Sequence, residues 1–108
     1  GVVSPNFAIA APGRLVTFVK IIPVTRVAIF EDSKHLRETI QFLLDNTDGY
    51  SCTGAYPDCS NLLDDIATSC CDIILMDIEM PGLTGIEATK IINENFRFII
   101  NIVFCVYN

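Results

Sequence analysis

At 108 residues the chain is one domain at most, and a 51% hydrophobic content without low-complexity stretches marks it as globular. The net charge of −6 is unevenly placed, since residues 1–25 carry only Arg14 and Lys20 while all thirteen acids lie beyond them. An acidic body speaks against direct nucleic-acid binding by this segment, because a phosphate-binding surface needs a basic patch.

Residues 1–24 are broken into short pieces by Pro5, Pro12, Gly13 and Pro23. These breakers deny the uninterrupted apolar run that a membrane span requires. The positive charges follow the apolar stretch Phe7–Ala11 instead of preceding it, which is the reverse of a signal peptide. Leu15–Ile22, with Leu15, Thr17, Val19 and Ile21 alternating, reads as an extra strand of no assigned role.

From Arg26 an α/β rhythm begins. Val27–Phe30 is a short apolar strand ending in Glu31 and Asp32. Ser33 is placed to cap a helix whose Leu36, Ile40, Leu43 and Leu44 share one face, and Asn46–Gly49 ends it. Tyr50–Ala55 is a second strand. A second helix, capped by Asp58 or Ser60, runs to about Thr68 with Leu62, Leu63 and Ile66 inward. Asp72–Met76 is a third strand, too short for a helix and apolar enough to be buried on both faces. Asp77 stands at its end, before Pro81, Gly82 and Gly85. Gly85 is expected in a conformation closed to other residues. A third helix then runs from Gly85 or Ile86 to about Asn93, with Ile86, Ala88, Ile91 and Ile92 apolar. Ile99–Val106 is a plausible fourth strand. Strands alternating with helices imply a parallel sheet with right-handed crossovers, and in such sheets ligands bind beyond the carboxyl ends of the strands.

That topology brings Glu31, Asp32 and Asp77 to one edge. Crowded carboxylates repel, and burial raises the cost of ionising them. A hard divalent cation resolves the repulsion, and Mg²⁺ suits one or two carboxylates with water and a phosphate oxygen. The five cysteines lack metal-binding spacing and read as buried small apolar residues in a reducing cytosol. His35 is the single histidine and reads as a solvated helix residue.

The residues VAIFED, followed by a helix, and the segment ILMDIEMPGLTGIEA resemble the receiver domains of two-component response regulators. The resemblance runs from about Arg26 to Asn95, and its D-x-x-M-P-x-x-x-G segment is formed by Asp77, Met80, Pro81 and Gly85. It implies a flavodoxin-like doubly wound α/β sheet of strand order 2-1-3-4, with residues 1–24 as a non-family extension and 25–108 as an incomplete receiver. It further implies that Asp77 accepts a phosphoryl group from a sensor histidine kinase or phosphotransfer protein in a cytoplasmic phosphorelay. Glu31 and Asp32 would hold Mg²⁺, with the backbone carbonyl of Glu79 as a further ligand. The family's usual output is transcription regulation, through a domain not in this segment.

After Asn95 the chain departs from the family. Aligning the fourth strand places Cys105 where a switch Thr or Ser is expected, and a thiol is a weak hydrogen-bond donor. No residue stands for the family's lysine on a fifth strand, since Lys90 lies on the third helix. The fourth strand is then an exposed edge, open to self-association or to Leu15–Ile22 folding back upon it.

The residues support a phosphoacceptor module that catalyses only its own phosphorylation and dephosphorylation. One rival is an aspartate-nucleophile phosphohydrolase, for which Glu79 has the right offset from Asp77; Met80-Pro81 and the missing lysine tell against it. Another rival is an unphosphorylated receiver-like interaction module.

Overall fold

The computed structural model describes the backbone of residues 2–106 and the side-chain surroundings of residues 12–16 and 23–106. Along the chain lie β1 (Val2–Ala11), β2 (Arg14–Ile22), β3 (Thr25–Phe30), α1 (Lys34–Asp45), β4 (Tyr50–Tyr56), α2 (Leu62–Ser69), β5 (Ile73–Asp77), α3 (Gly85–Asn95) and β6 (Ile100–Phe104). β3 to β6 form a four-stranded parallel sheet in the order β4-β3-β5-β6. Counted from β3, this is the expected order 2-1-3-4.

The extension departs from expectation. Leu15–Ile22 does form a strand, but β2 pairs antiparallel with β1 and does not cover the free edge of β6. The side chains of Thr17, Val19 and Ile21, whose alternation pointed to that strand, lie outside the described residues. Gly1, Tyr107 and Asn108, the outermost positions of the two expected segments, lie outside them as well. Pro12 and Gly13 make the connecting turn, with Gly13 at φ +74°. The prolines break the extension less than expected, because Pro5 falls beside a bulge, where a strand tolerates the missing N–H. Closing a two-residue turn costs far less chain entropy than reaching across to β6.

The sheet's two faces are covered unequally. On one face Ala28, Phe30, Ile74 and Met76 pack with Leu62 and Ile66 of α2 and with Ala88 and Ile92 of α3. This is the main core. Alternation along the strands sends Val27 and Ile29 to the opposite face, under α1. On that face burial fades in register: Val27 and Ile29 are buried, Ile73 and Leu75 half-buried, and Ile100 and Ile102 exposed. α1 alone covers it among the described residues. Its Leu36, Ile40 and Leu44 are therefore half-buried, and Leu43, expected inward, is exposed.

Helix boundaries follow local chemistry. Ser33 Oγ accepts from the Leu36 amide at 3.3 Å and caps α1 as its position implied. α2 is capped by neither Asp58 nor Ser60. Asp58 instead accepts from the amide and hydroxyl of Ser60 in a tight turn, and Asn61 occupies the cap position without a side-chain bond. The later start turns Leu63 outward, leaving Leu62 and Ile66 to the core. Cys70 ends α2 in the left-handed conformation at φ 49° and is exposed. It is thus not the buried apolar residue expected, unlike its neighbour Cys71. α3 starts with a reciprocal capping box between Thr84 and Glu87, a T-x-x-E signal present in the sequence. Ile86, expected among its apolar positions, points to solvent.

Gly85 is constrained differently from the expectation. Its φ is not positive; that role falls to Gly82, at +83°. A Cβ on Gly85 would lie 2.7 Å from the Asp77 carbonyl oxygen and 2.7 Å from Ile78 Cα. Only a glycine lets α3 begin directly against the strand end that carries Asp77. Gly85→Ala should destabilise the protein by about 1–3 kcal/mol, the usual cost of overpacking, read as a lower urea midpoint. An unchanged midpoint would show that this close approach is not needed.

Candidate functional site

β3 and β5 are neighbours with Phe30 opposite Met76, so the residues after them emerge side by side at the C-terminal edge of the sheet. Glu31 and Asp32 follow the first strand, and Asp77 ends the second. Their carboxylate oxygens lie within 4.8 Å of one another, the one such group of three or more potential metal ligands among the described residues. Glu31 is 3% exposed and Asp77 6%, whereas Asp32 faces solvent. The sequence-predicted trio is brought together as expected.

Backbone amides orient two of the three. The Ser33 N–H donates to Glu31 Oε1 at 3.1 Å, and the Glu79 N–H donates to Asp77 Oδ1 at 3.0 Å. Each bond spans two residues and turns the carboxylate back over its own loop, a geometry favoured by acids after a strand end. Glu79 thereby enters the site through its amide, with its side chain exposed. Glu31 Oε2 is buried without a hydrogen-bond partner. An orphaned carboxylate oxygen in an all-oxygen cluster, beside one exposed acid, fits a hard cation that keeps some of its water.

Arg37 contributes a feature not read from the sequence. From the second turn of α1 its Nη1 donates to the carbonyl oxygens of Glu31 at 2.7 Å and Asp32 at 3.4 Å. The signal was an arginine one helical turn beyond the Ser33 cap, which points back towards the loop. Cys105 lies just beyond β6, at the same edge: Phe104 is opposite Asp77 in register, and its carbonyl accepts from the Ile78 amide at 2.8 Å. Cys105 is half-buried, and Cys52, Cys59, Cys70, Cys71 and Cys105 are all free thiols. His35 is exposed on α1.

A groove of about 400 Å³ runs between the start of α2 and α3, lined by Cys59, Asn61, Leu63, Asp64, Leu83 and Ile91 among others. It contains none of the three carboxylates.

The fold is that of a receiver domain. The chain belongs to the response regulator receiver domain family, whose description matches residues 27–107. It is 34% identical over 62 residues to a protein-glutamate methylesterase/protein-glutamine glutaminase of Burkholderia thailandensis, covering 57% of this chain and 18% of that protein. It is also 34% identical over 70 residues to the CAI-1 autoinducer sensor kinase/phosphatase CqsS of Vibrio cholerae, covering 65% of this chain and 10% of that one. The crystal structure of the response regulator domain of Thermotoga maritima CheB superposes with a TM-score of 0.69 at 30% identity, covering 76% of this chain and 60% of that one. The chain spans about a fifth or less of the length of the curated relatives it matches.

Crowding shows in the titration of Glu31. Burial foremost, then the neighbouring carboxylates of Asp77 and Asp32, push its pKa from 4.5 up to about 7, against the opposing pull of the Ser33 amide. The folded protein then holds a proton that the unfolded chain has already released near 4.5. Stability should therefore fall as pH rises from about 4.5 to about 7. Glu31→Gln should remove that slope in urea unfolding at pH 5 and pH 8. An equal slope in the variant would assign the effect to another group.

Proposed function

We propose that this chain is a Mg²⁺-dependent phosphoacceptor module in which Asp77 takes a phosphoryl group from a phosphohistidine of a sensor kinase or phosphotransfer protein. The observation that carries the reading is the convergence of Glu31, Asp32 and Asp77 at the sheet edge of a family receiver domain. A carboxylate nucleophile suits this transfer, because attack by an Asp77 oxygen on phosphorus forms an acyl phosphate while the donor nitrogen leaves. The transferring group disperses negative charge over its oxygens, so the protein's work is positioning and neutralisation.

Glu31 and Asp32 are the residues that would hold Mg²⁺ with Asp77, and the ion would supply the positive charge that lets a phosphoryl oxygen approach three acids. The Glu79 amide orients the nucleophile, leaving Asp77 Oδ2 available. The Glu79 carbonyl as a ligand, Cys105 as the switch position and residues 1–24 as an extension outside the receiver belong to the same proposal. So does the chain's status as a partial catalyst without turnover on a free substrate. The free thiols fit a reducing, cytoplasmic setting. Any self-association would run through the apolar strip ending at Ile100 and Ile102.

The curated relatives do not confirm transcription as the output. Those at 34% identity are named as a methylesterase/glutaminase and a sensor kinase/phosphatase, which points to enzymes and kinases of signalling as the controlled partners.

A small-molecule acyl phosphate with Mg²⁺ should add one phosphoryl group, seen by intact mass, and chelation of the metal should abolish the gain. Asp77→Asn keeps the shape and removes the nucleophile, so labelling should be lost. A label that persists and maps to Glu31 or Asp32 would refute the assignment. An unlabelled wild-type chain would favour the inert interaction module, and steady turnover of the donor would favour the phosphohydrolase.

A further inference from the structure

We infer that Arg37 is the positioning residue of the cation site, holding the β3–α1 loop by its main chain so that Glu31 and Asp32 face Asp77 with their oxygens free. The inference rests on the proposed Mg²⁺-dependent reading and extends it to a residue of α1.

An arginine so close to three carboxylates would ordinarily lie across one of them as a bidentate fork. Here it does not. The ion pairs found among the described residues are Arg26 with Asp72 and Lys34 with Glu38, and neither involves the site. Arg37 spends its Nη1 on the carbonyl oxygens of Glu31 at 2.7 Å and, more weakly, of Asp32 at 3.4 Å. Its own amide donates to the Ser33 carbonyl at 2.9 Å, which fixes the turn that sends the side chain back over the loop.

Two consecutive carbonyls bound to one rigid guanidinium hold two peptide planes, and with them the directions of two side chains. The loop is thus restrained from both sides. The Ser33 amide holds the Glu31 carboxylate on one side, and Arg37 holds the backbone on the other. Because the grip is on carbonyls, every carboxylate lone pair not taken by the Ser33 and Glu79 amides stays available to a ligand. A second cation, Lys34, is engaged with Glu38 at 3.9 Å and does not share this role.

Outer-shell partners of metal ligands typically carry about 10–100-fold in metal affinity. Titration of the full chain with Mg²⁺ alone, followed by amide chemical shifts of the Glu31–Ser33 loop, should show binding at least about tenfold weaker in Arg37→Ala. Arg37→Lys should recover part of it, since an ammonium also donates to carbonyls. Leu44→Ala controls for general destabilisation, because it is on the same helix, half-buried and far along it from the loop. It should lower the urea midpoint and leave Mg²⁺ affinity unchanged. Equal Mg²⁺ affinity in wild type and Arg37→Ala overturns the inference while leaving the receiver reading intact. Equal weakening in Leu44→Ala and Arg37→Ala overturns it too, by reducing Arg37 to a structural residue. A wild-type chain that binds no Mg²⁺ overturns both readings.

Discussion

Mutual repulsion among Glu31, Asp32 and Asp77 is the constraint on which the rest of the site depends. Glu31 and Asp77 are nearly excluded from water, yet their oxygens share a sphere with those of Asp32. No arrangement chosen for stability alone would place them so, because each buried ionised carboxylate costs free energy without a partner. Burial and the neighbouring acids raise the Glu31 pKa accordingly. Stability is surrendered at the sheet edge and recovered in the apolar layer beneath, where Phe30 and Met76 lie opposite one another, fully buried.

That layer also explains why the acids cannot drift apart. β3 and β5 are central strands, hydrogen-bonded on both sides, and their register fixes where Glu31 and Asp77 leave the sheet. The loops then need little freedom. Amide-to-carboxylate bonds of two-residue span at Ser33 and Glu79 repeat one device on both strands. Beyond them the capped start of α1 and the capping box of α3 rigidify the two helices that leave the site. The close approach at Gly85 brings α3 against the strand end, so the β5–α3 loop can hold its acid without a longer excursion.

The two sheet faces differ in the layers that cover them. α2 and α3 share one face and bury each other's apolar positions along with those of the sheet. On the other face α1 stands alone among the described residues, so apolar exposure rises steadily from β3 to β6. Apolar surface without a covering layer is a place where other chain segments or molecules gain stability by binding.

Much of this was legible in the sequence. Short apolar runs ending in acids specify central parallel strands with carboxylates at their ends, since such runs are stable only when buried on both faces. The family segment around Asp77, Met80, Pro81 and Gly85 pointed to Asp77 as the nucleophile of the proposed transfer and, with Glu31 and Asp32, to the proposed ligand set. Other features depended on three-dimensional neighbours. Whether Leu43, Leu63 and Ile86 face inward was decided by which layers cover each helix, and periodicity alone cannot supply that. The reason for Gly85 lay in the distance to the Asp77 carbonyl, not in its own backbone angles. Leu15–Ile22 found its partner in β1, because a tight turn made local pairing cheaper than a distant edge. Arg37 shows the division most clearly: its charge and helix position are in the sequence, but only the folded loop turns the carbonyls of Glu31 and Asp32 towards its guanidinium.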